Sequence, residues 1–505
     1  MSAPTYDLGK LHGGLRLRGH KSESTKQAIQ HVPVPAQLVL PISQHVGDPA
    51  QPVVTVGEHV LKGQMIAELA GSLGAPVHAS SSGRIVAIEP WPVSRRSGEN
   101  APCIIIECDG KDEALANTEP RADYTALEPR DLLAQILQGG IVGLGGAVFP
   151  TAQKLMQART GKIDHLILNG VECEPYISCD DVLMRESASE VISGAQILMH
   201  ALQIELCFIV VESDKPDAIH QLGNALGEID DARIVVKLVP TIYPSGGEDQ
   251  VVQLVTNREV PSNGLPSDVG CLVQNVGTAA AIHDWIVDGQ PLVSRVTTIT
   301  GDGVRSPMNV RACIGTTIAD LIEFSGGYTD RAQQLIIGGP MTGKSITTDS
   351  VPLVKATNCI LVTSKTPSPG PEMPCIRCGD CAAVCPIQLL PQQLFWYACA
   401  DDEKKLREFG LTDCIECGCC DLVCPSHIPL TADFRAAKGR IRELADDKAR
   451  AARARQRFEA RNQRMDREQS KREAELAQQK ETAKKAGPAA IAEILKRKQQ
   501  QSEQD

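Results

Sequence analysis

Residues 375–386 read CIRCGDCAAVCP, and residues 414–425 read CIECGCCDLVCP. Both stretches carry C-x2-C-x2-C-x3-C followed by proline, and the second adds Cys419. A cube of four irons and four sulfides needs four thiolates converging on one point. A tight turn with two-residue spacers supplies three of them, and the fourth must come from elsewhere in the fold. Zinc is the competing metal, but it favours paired C-x2-C knuckles with four ligands per site, often including histidine. Two copies of a four-cysteine run fit iron–sulfur chemistry better. Pro386 and Pro425 restrict φ and remove a backbone donor after each fourth cysteine.

Where two such runs share a domain, each gives three ligands to one cluster and its fourth to the other. On that rule one [4Fe–4S] cluster takes Cys375, Cys378, Cys381 and Cys424, and the second takes Cys414, Cys417, Cys420 and Cys385. Cys419 lies between ligands, out of register, and is assigned no iron. Two neighbouring clusters form an electron conduit and raise the question of what feeds them.

Composition narrows the answer. A chain of 505 residues is too long for one hydrophobic core. Its 18 cysteines, with no signal-peptide pattern in MSAPTYDLGK, favour metal ligation over disulfides and a cytoplasmic setting. No apolar run reaches the roughly 18–20 residues that span a bilayer. From Thr431 onward 20 Lys and Arg face 13 Asp and Glu, although the whole chain carries −11. An acidic body with a basic tail argues against a nucleic-acid enzyme and allows tail contact with a membrane surface or an acidic partner.

The chain divides by pattern. Residues 1–35 read as an N-terminal arm. Residues 36–125 hold short strands broken by Gly57, Gly63, Gly74 and Gly83, as in a small barrel-sandwich. They resemble lipoyl and biotin carrier domains, with Ser80, Ser81 and Ser82 where a carrier has its lysine tip; the expectation is a structural domain without covalent cofactor. Residues 126–290 alternate helix with the buried strands HLILNG, ELCFIVVES and ARIVVKLVP, an α/β domain with a mostly parallel sheet. Residues 291–365 suggest a small β-grasp unit. The linker TSKTPSPGPEMP leads to a ferredoxin-like unit at 366–435, and 436–505 form a basic, Ala-rich helical tail broken at AGPAA. The fold class is therefore multidomain α/β and α+β.

Three polar loops gather at one edge of the predicted sheet. GGIVGLGGAVFPTAQK at 139–154 lies between two helices, and its glycines would let backbone amides approach a phosphate, with Lys154 nearby. NGVECEPY at 169–176 follows one strand, and YPSGGEDQ at 243–250 follows another. Ligands in such folds bind beyond the C-terminal strand ends.

These loops resemble the FMN- and NADH-binding subunit of respiratory complex I. GLGGAVFPTAQK is similar to its G-x-G-G-A-x-F-P-T-x-x-K, NGVECEP to its N-x-x-E-x-E-P, YPSGGED to its tyrosine-to-glutamate loop, and QNVGT at 274–278 to its Asn-Val-x-Thr turn. Leu144 stands where that family has arginine, Val148 where it has glycine, Val171 where it has aspartate and Gly247 where it has glutamate. Two ferredoxin motifs and a leading barrel-sandwich domain replace its single C-x2-C-x2-C cluster motif. That domain order resembles the C-subunit family of Rnf ion-translocating NADH:ferredoxin oxidoreductases, over about residues 10–430.

The resemblance implies non-covalent FMN among Gly143, Gly145, Gly146, Lys154, Asn169, Glu172, Tyr243, Gly246, Glu248 and Asn275, with Phe149 and Glu174 toward NADH. It also implies a peripheral subunit on the cytoplasmic face of a bacterial inner membrane. Such a subunit exchanges hydride between NAD(H) and FMN and passes single electrons through two clusters, to or from membrane subunits and a ferredoxin-type carrier. No side chain is assigned as a general acid or base. A flavin/iron–sulfur cobalamin reductase and a non-enzymatic ferredoxin-like relay are the alternatives.

Overall fold

The computed structural model describes residues 9–94, 100–115, 123–159, 161–364, 370–485 and 487–501. The first eight residues of the arm, the middle of the TSKTPSPGPEMP linker (365–369) and Ala486 of the AGPAA break lie outside the described residues. The chain forms a body ending at Phe434 and a separate unit from Arg435 onward.

Strands Gln37–Pro41, Asn100–Cys108, Gly83–Pro92 and His59–Val60 form one antiparallel sheet, and Gln51–Pro52, Met65–Glu68 and Val77–His78 a second. Leu38, Leu40, Ile66, Ile85, Ile104 and Ile106 are fully buried between them. At the place where carrier domains have their lysine, Ser80, Ser81 and Ser82 are all fully buried. Ser81 Oγ donates to Asp112 at 2.8 Å, Ser82 Oγ donates to Asp109 at 2.7 Å, and Cys313 Sγ approaches the Ser80 carbonyl at 3.5 Å. The turn is closed by these partners, so no side chain there is presented to solvent.

The α/β sheet is fully parallel, in the order Ile234–Val239, Cys207–Glu212, His165–Gly170, Cys271–Asn275. In the sequence its fourth strand is visible only as the QNVGT turn. Cys207–Glu212 is buried at every residue, which explains its continuous apolar run. Helices Ala188–Leu202 and Val276–Ile286 cover one face. They cross closely at Gly194, where a Cβ would stand 2.0 Å from the Ala279 carbonyl oxygen.

A six-stranded mixed sheet follows, built on Ser294–Thr300, Met308–Cys313, Gln334–Ile337, Lys344–Ile346 and Cys359–Thr363. Its sixth strand comes from the arm: Gln30–His31 pairs in parallel with Val310 and Arg311. The arm is thus tied down as a sheet edge. Upstream, Leu15 bridges to Tyr243, and Gly14 N donates to the Val384 carbonyl at 2.9 Å.

The cysteine region repeats its backbone. Arg377 and Glu416 both have positive φ, as do Gly379 and Gly418, and Gln388 and His427. Each member of a pair holds the same place relative to its motif. Short helices Asp380–Ala383 and Cys419–Leu422 follow the paired glycines. Cys419 therefore occupies the position that Asp380 holds in the first copy.

The tail contains helices Leu430–Lys485 and Gly487–Gln501. Its long polar surface carries i,i+4 pairs such as Arg455–Glu459 and Arg464–Glu468, as expected for a solvated helix. Among the described residues, no helix is long and apolar enough to cross a membrane.

Candidate flavin cleft and cysteine centres

The three loops converge at the C-terminal ends of the parallel strands. There they line a cleft of about 440 Å³, within the usual range for cofactor sites. The cleft wall includes Gly145, Asn169, Glu172, Glu174, Tyr243, Gly246, Glu248 and Asn275. Gly143, Gly146, Lys154 and Phe149 lie outside this lining. Gly143 and Phe149 instead close the glycine loop on itself, Gly143 N donating to the Phe149 carbonyl at 2.9 Å. Val148, a β-branched residue, holds φ of 47° in this loop, a conformation that glycine adopts without strain.

Each polar residue has a local task. Asn169 Nδ2 donates to the Gly246 carbonyl at 2.9 Å, tying the first strand to the 243–250 loop. Asn275 Oδ1 caps helix Val276–Ile286 by accepting from Gly277 N and Thr278 N, while its Nδ2 donates to Asp180 at 2.6 Å. Glu172 accepts from Asp180 N at 2.9 Å and Asp181 N at 3.4 Å, capping helix Cys179–Glu186 from outside. Gly246 is required by proximity: a Cβ would stand 2.4 Å from the Val171 carbonyl oxygen. Lys154 Nζ donates to Glu248 at 2.5 Å and the Val273 carbonyl at 2.8 Å. Glu174, expected to face the nicotinamide, accepts from Met341 N at 3.0 Å and from Thr342 N and Oγ1 at 2.9 and 2.7 Å. It pins the β-grasp loop to the cleft.

Two residues of the site carry no sequence signal. Lys21 reaches in from the arm and donates to the carbonyls of Glu172, Glu174 and Ile177, at 2.5, 3.1 and 2.5 Å. Asp180 lines the cleft beside Glu172, and burial followed by repulsion from Glu172 raises its pKa to about 7.

Gln250 lines the cleft while 3% exposed, and its Oε1 has no hydrogen-bond partner among the described groups. A polar pocket with an orphaned acceptor, at parallel strand ends, suits a bound group rich in donors. The ribityl hydroxyls and the ring N3–H of a flavin are such donors, so the residues present fit FMN.

Beside the cleft, one cavity is lined by Cys375, Cys378, Cys381 and Cys424, and another by Cys385, Cys414, Cys417 and Cys420 together with Cys419. Cys417 also lines the flavin cleft. Tetrahedral zinc, with Zn–S of about 2.3 Å, would hold its sulfurs less than about 4 Å apart. Among the described residues, neither quartet gathers three ligand atoms within 4.8 Å of one another. The wider spacing fits a polynuclear cluster with sulfides between the irons. Leu389 N lies 3.3 Å from Cys385 Sγ, a backbone donor of the kind that tunes such centres.

Family models match the three domains that precede the cysteine motifs. A model of the Nuo51 FMN-binding domain matches residues 136–284, the RnfC barrel sandwich hybrid domain matches 9–111, and the SLBB domain matches 296–345. The C subunit of the ion-translocating oxidoreductase complex of Haemophilus influenzae (strain PittEE) is 41% identical over 469 residues, covering 92% of this chain and 71% of the relative. The chain belongs to the family of ion-translocating oxidoreductase complex C subunits. The Pseudomonas aeruginosa member is 49% identical over 473 residues, 93% of this chain, which spans 61% of that longer relative. A solved NAD+-reducing [NiFe]-hydrogenase aligns with 64% of each chain at 19% identity and TM-score 0.44.

Proposed function

We propose that this chain is the peripheral electron-input subunit of its complex. It exchanges hydride between NAD(H) and FMN and passes single electrons through two [4Fe–4S] clusters, to or from membrane subunits and a ferredoxin-type carrier on the cytoplasmic side. The carrying observation is Cys417, which lines both the flavin cleft and the cavity of the second cysteine quartet. It supports a transfer order of flavin, then the Cys385/Cys414/Cys417/Cys420 centre, then the Cys375/Cys378/Cys381/Cys424 centre.

A bound flavin converts two-electron hydride chemistry into single-electron steps. The chain's residues do the positioning. Asn169 and Gly246 hold two loops together, Asn275 and Glu172 cap the helices that face the cleft, and Glu174 closes the β-grasp loop over one side. Lys154 and the exposed Gly145 offer positive charge and backbone amides to a phosphate. Cys378, exposed at the first quartet, offers the edge for a redox partner.

The test is an iron and flavin count on anaerobically purified protein, with NADH-dependent dye reduction. About eight irons and one FMN per chain are expected from two four-iron clusters. Iron without flavin, and no dye reduction, would leave a non-enzymatic relay instead.

A further inference from the structure

We propose that Asp180 and a second polar cavity behind the flavin cleft form the route by which protons reach and leave the bound flavin, a proposal that rests on the flavin reading above. The need follows from the balance of the reaction. A dihydronicotinamide gives up two electrons and one proton as hydride, so complete reduction of the isoalloxazine takes one further proton from the protein. The clusters accept electrons only. When both electrons have left, two protons must be released, and a carboxylate in the cleft wall is placed to carry them.

The geometry supplies one. Asp180 lines the flavin cleft and also a separate cavity of about 260 Å³ between the α/β sheet's helices and the β-grasp strands. At about 30 Å³ per liquid water, that space holds several. Its wall carries Glu190, Asp284, Arg295, Arg311 and Ser187, and it reaches the surface at Gln290, which is exposed. Glu190 Oε2 is buried without a hydrogen-bond partner among the described groups. Asp180, Glu190 and Asp284 line this one cavity, and Asp180 also lines the flavin cleft.

The groups around Asp180 suit exchange near neutral pH. Burial and the Glu172 carboxylate raise its pKa to about 7, while Asn275, Arg295 from the β-grasp strand and Lys21 from the arm oppose the rise. Asp284 is likewise raised to about 6 by burial, offset by Arg311 and His283 and reinforced by Asp288 and Glu190. Both acids are held above the ordinary carboxylate range, the direction a proton carrier near neutral pH requires.

The test uses the full chain. In flavin-free protein, infrared difference spectra against pH should show a protonated-carboxyl band that titrates near neutrality and disappears in Asp180→Asn. With FMN bound, mixing with NADH is followed by flavin bleaching and by a pH-indicator dye. In the parent protein, proton uptake should keep pace with bleaching. In Asp180→Asn, Glu190→Gln and Asp284→Asn it should lag by about tenfold or more, and Asp180→Glu should restore it. Uptake at the parent rate in all three variants, or the same carboxyl band in Asp180→Asn, overturns the relay and leaves the flavin site standing. Failure of FMN to bind, read separately by fluorescence titration, overturns the flavin reading itself.

Discussion

The hydroxyl of Tyr243 donates to the backbone carbonyl of Cys417 at 2.7 Å, joining a cleft loop to a cysteine of the second centre. Tyr243 is 4% exposed and packs with Cys417, Cys419 and, at the edge, Leu15 and Leu17 of the arm. Burial raises its pKa, so it stays a neutral donor at any working pH. Replacing it with phenylalanine keeps the ring and strands the carbonyl, at a cost of about 1–3 kcal/mol. We expect Tyr243→Phe to keep its iron and bind FMN, while electrons pass from reduced flavin to the clusters more slowly. Rapid-freeze EPR after NADH addition measures this, and an unchanged rate of cluster reduction would show that the bond serves packing only.

Lys21 is the second tie to the arm. Its ammonium serves three carbonyls of the 172–177 loop, and its side chain is only 11% exposed. Lys21→Met removes the donors but keeps the length of the stem. Each carbonyl left unpaired costs about 1–3 kcal/mol, and the loop that carries Glu172 and Glu174 loosens. The expected result is FMN binding weakened by about tenfold or more, a loss of roughly 1.4 kcal/mol or more, with the iron content unchanged. Fluorescence quenching titration of flavin against both proteins decides it.

These two contacts also mark the boundary of what the sequence discloses. The cysteine motifs, glycine loop and strand-end loops are local patterns, since each is set by spacing within a dozen residues. Glu172 and Asn275 are legible because they sit in those loops. Lys21 and Asp180 are not: Lys21 reaches the site from 151 residues away, and Asp180 lies past the end of its loop and meets Asn275 from a distant strand. The arm reads as extended, and nothing in Gln30–His31 announces its parallel pairing with Val310 and Arg311. Ser80–Ser82 fall where a carrier has its lysine, and the partners that bury them, Asp109, Asp112 and Cys313, lie elsewhere in the chain. The same limit hides the role of Glu174, whose partners come from the β-grasp loop.

Lys355 predicts a pH dependence. It is 1% exposed, and its Nζ donates to the carbonyls of Pro76 and Gly140 at 3.0 and 2.6 Å, joining the β-grasp unit to the barrel-sandwich and the α/β domain. Burial lowers its pKa from 10.5 to about 7. Between about pH 7 and 10.5 the unfolded chain holds the proton and the folded one does not, so the unfolded state binds more protons. Stability from this group therefore rises with pH across that window and is lowest below pH 7. The span is at most about 5 kcal/mol. Lys355→Met should show a flatter rise in stability from pH 7 to pH 9 than the parent. Denaturant midpoints at the two pH values give the comparison, and parallel slopes would remove Lys355 as the cause.

The crossing of the fourth ligands can be tested without knowing either cluster's potential. Cys385 lies in the first motif by sequence but lines the cavity of Cys414, Cys417 and Cys420, while Cys424 lines that of Cys375, Cys378 and Cys381. If each motif fed its own cluster, Cys385→Ala would resemble Cys375→Ala. Crossed ligation makes it resemble Cys414→Ala instead, because both remove a thiolate from the same centre. The EPR spectrum of the reduced protein should therefore lose the same component in Cys385→Ala and Cys414→Ala, and the other component in Cys375→Ala and Cys424→Ala. Iron should fall by up to about four atoms per chain in each. Cys419 supplies the control. It shares the second cavity wall, yet stands at the helix position Asp380 holds in the first copy, so Cys419→Ala should keep both components and all of its iron. Loss of iron there would make Cys419 a ligand and break the repeat's symmetry at the centre nearer the flavin.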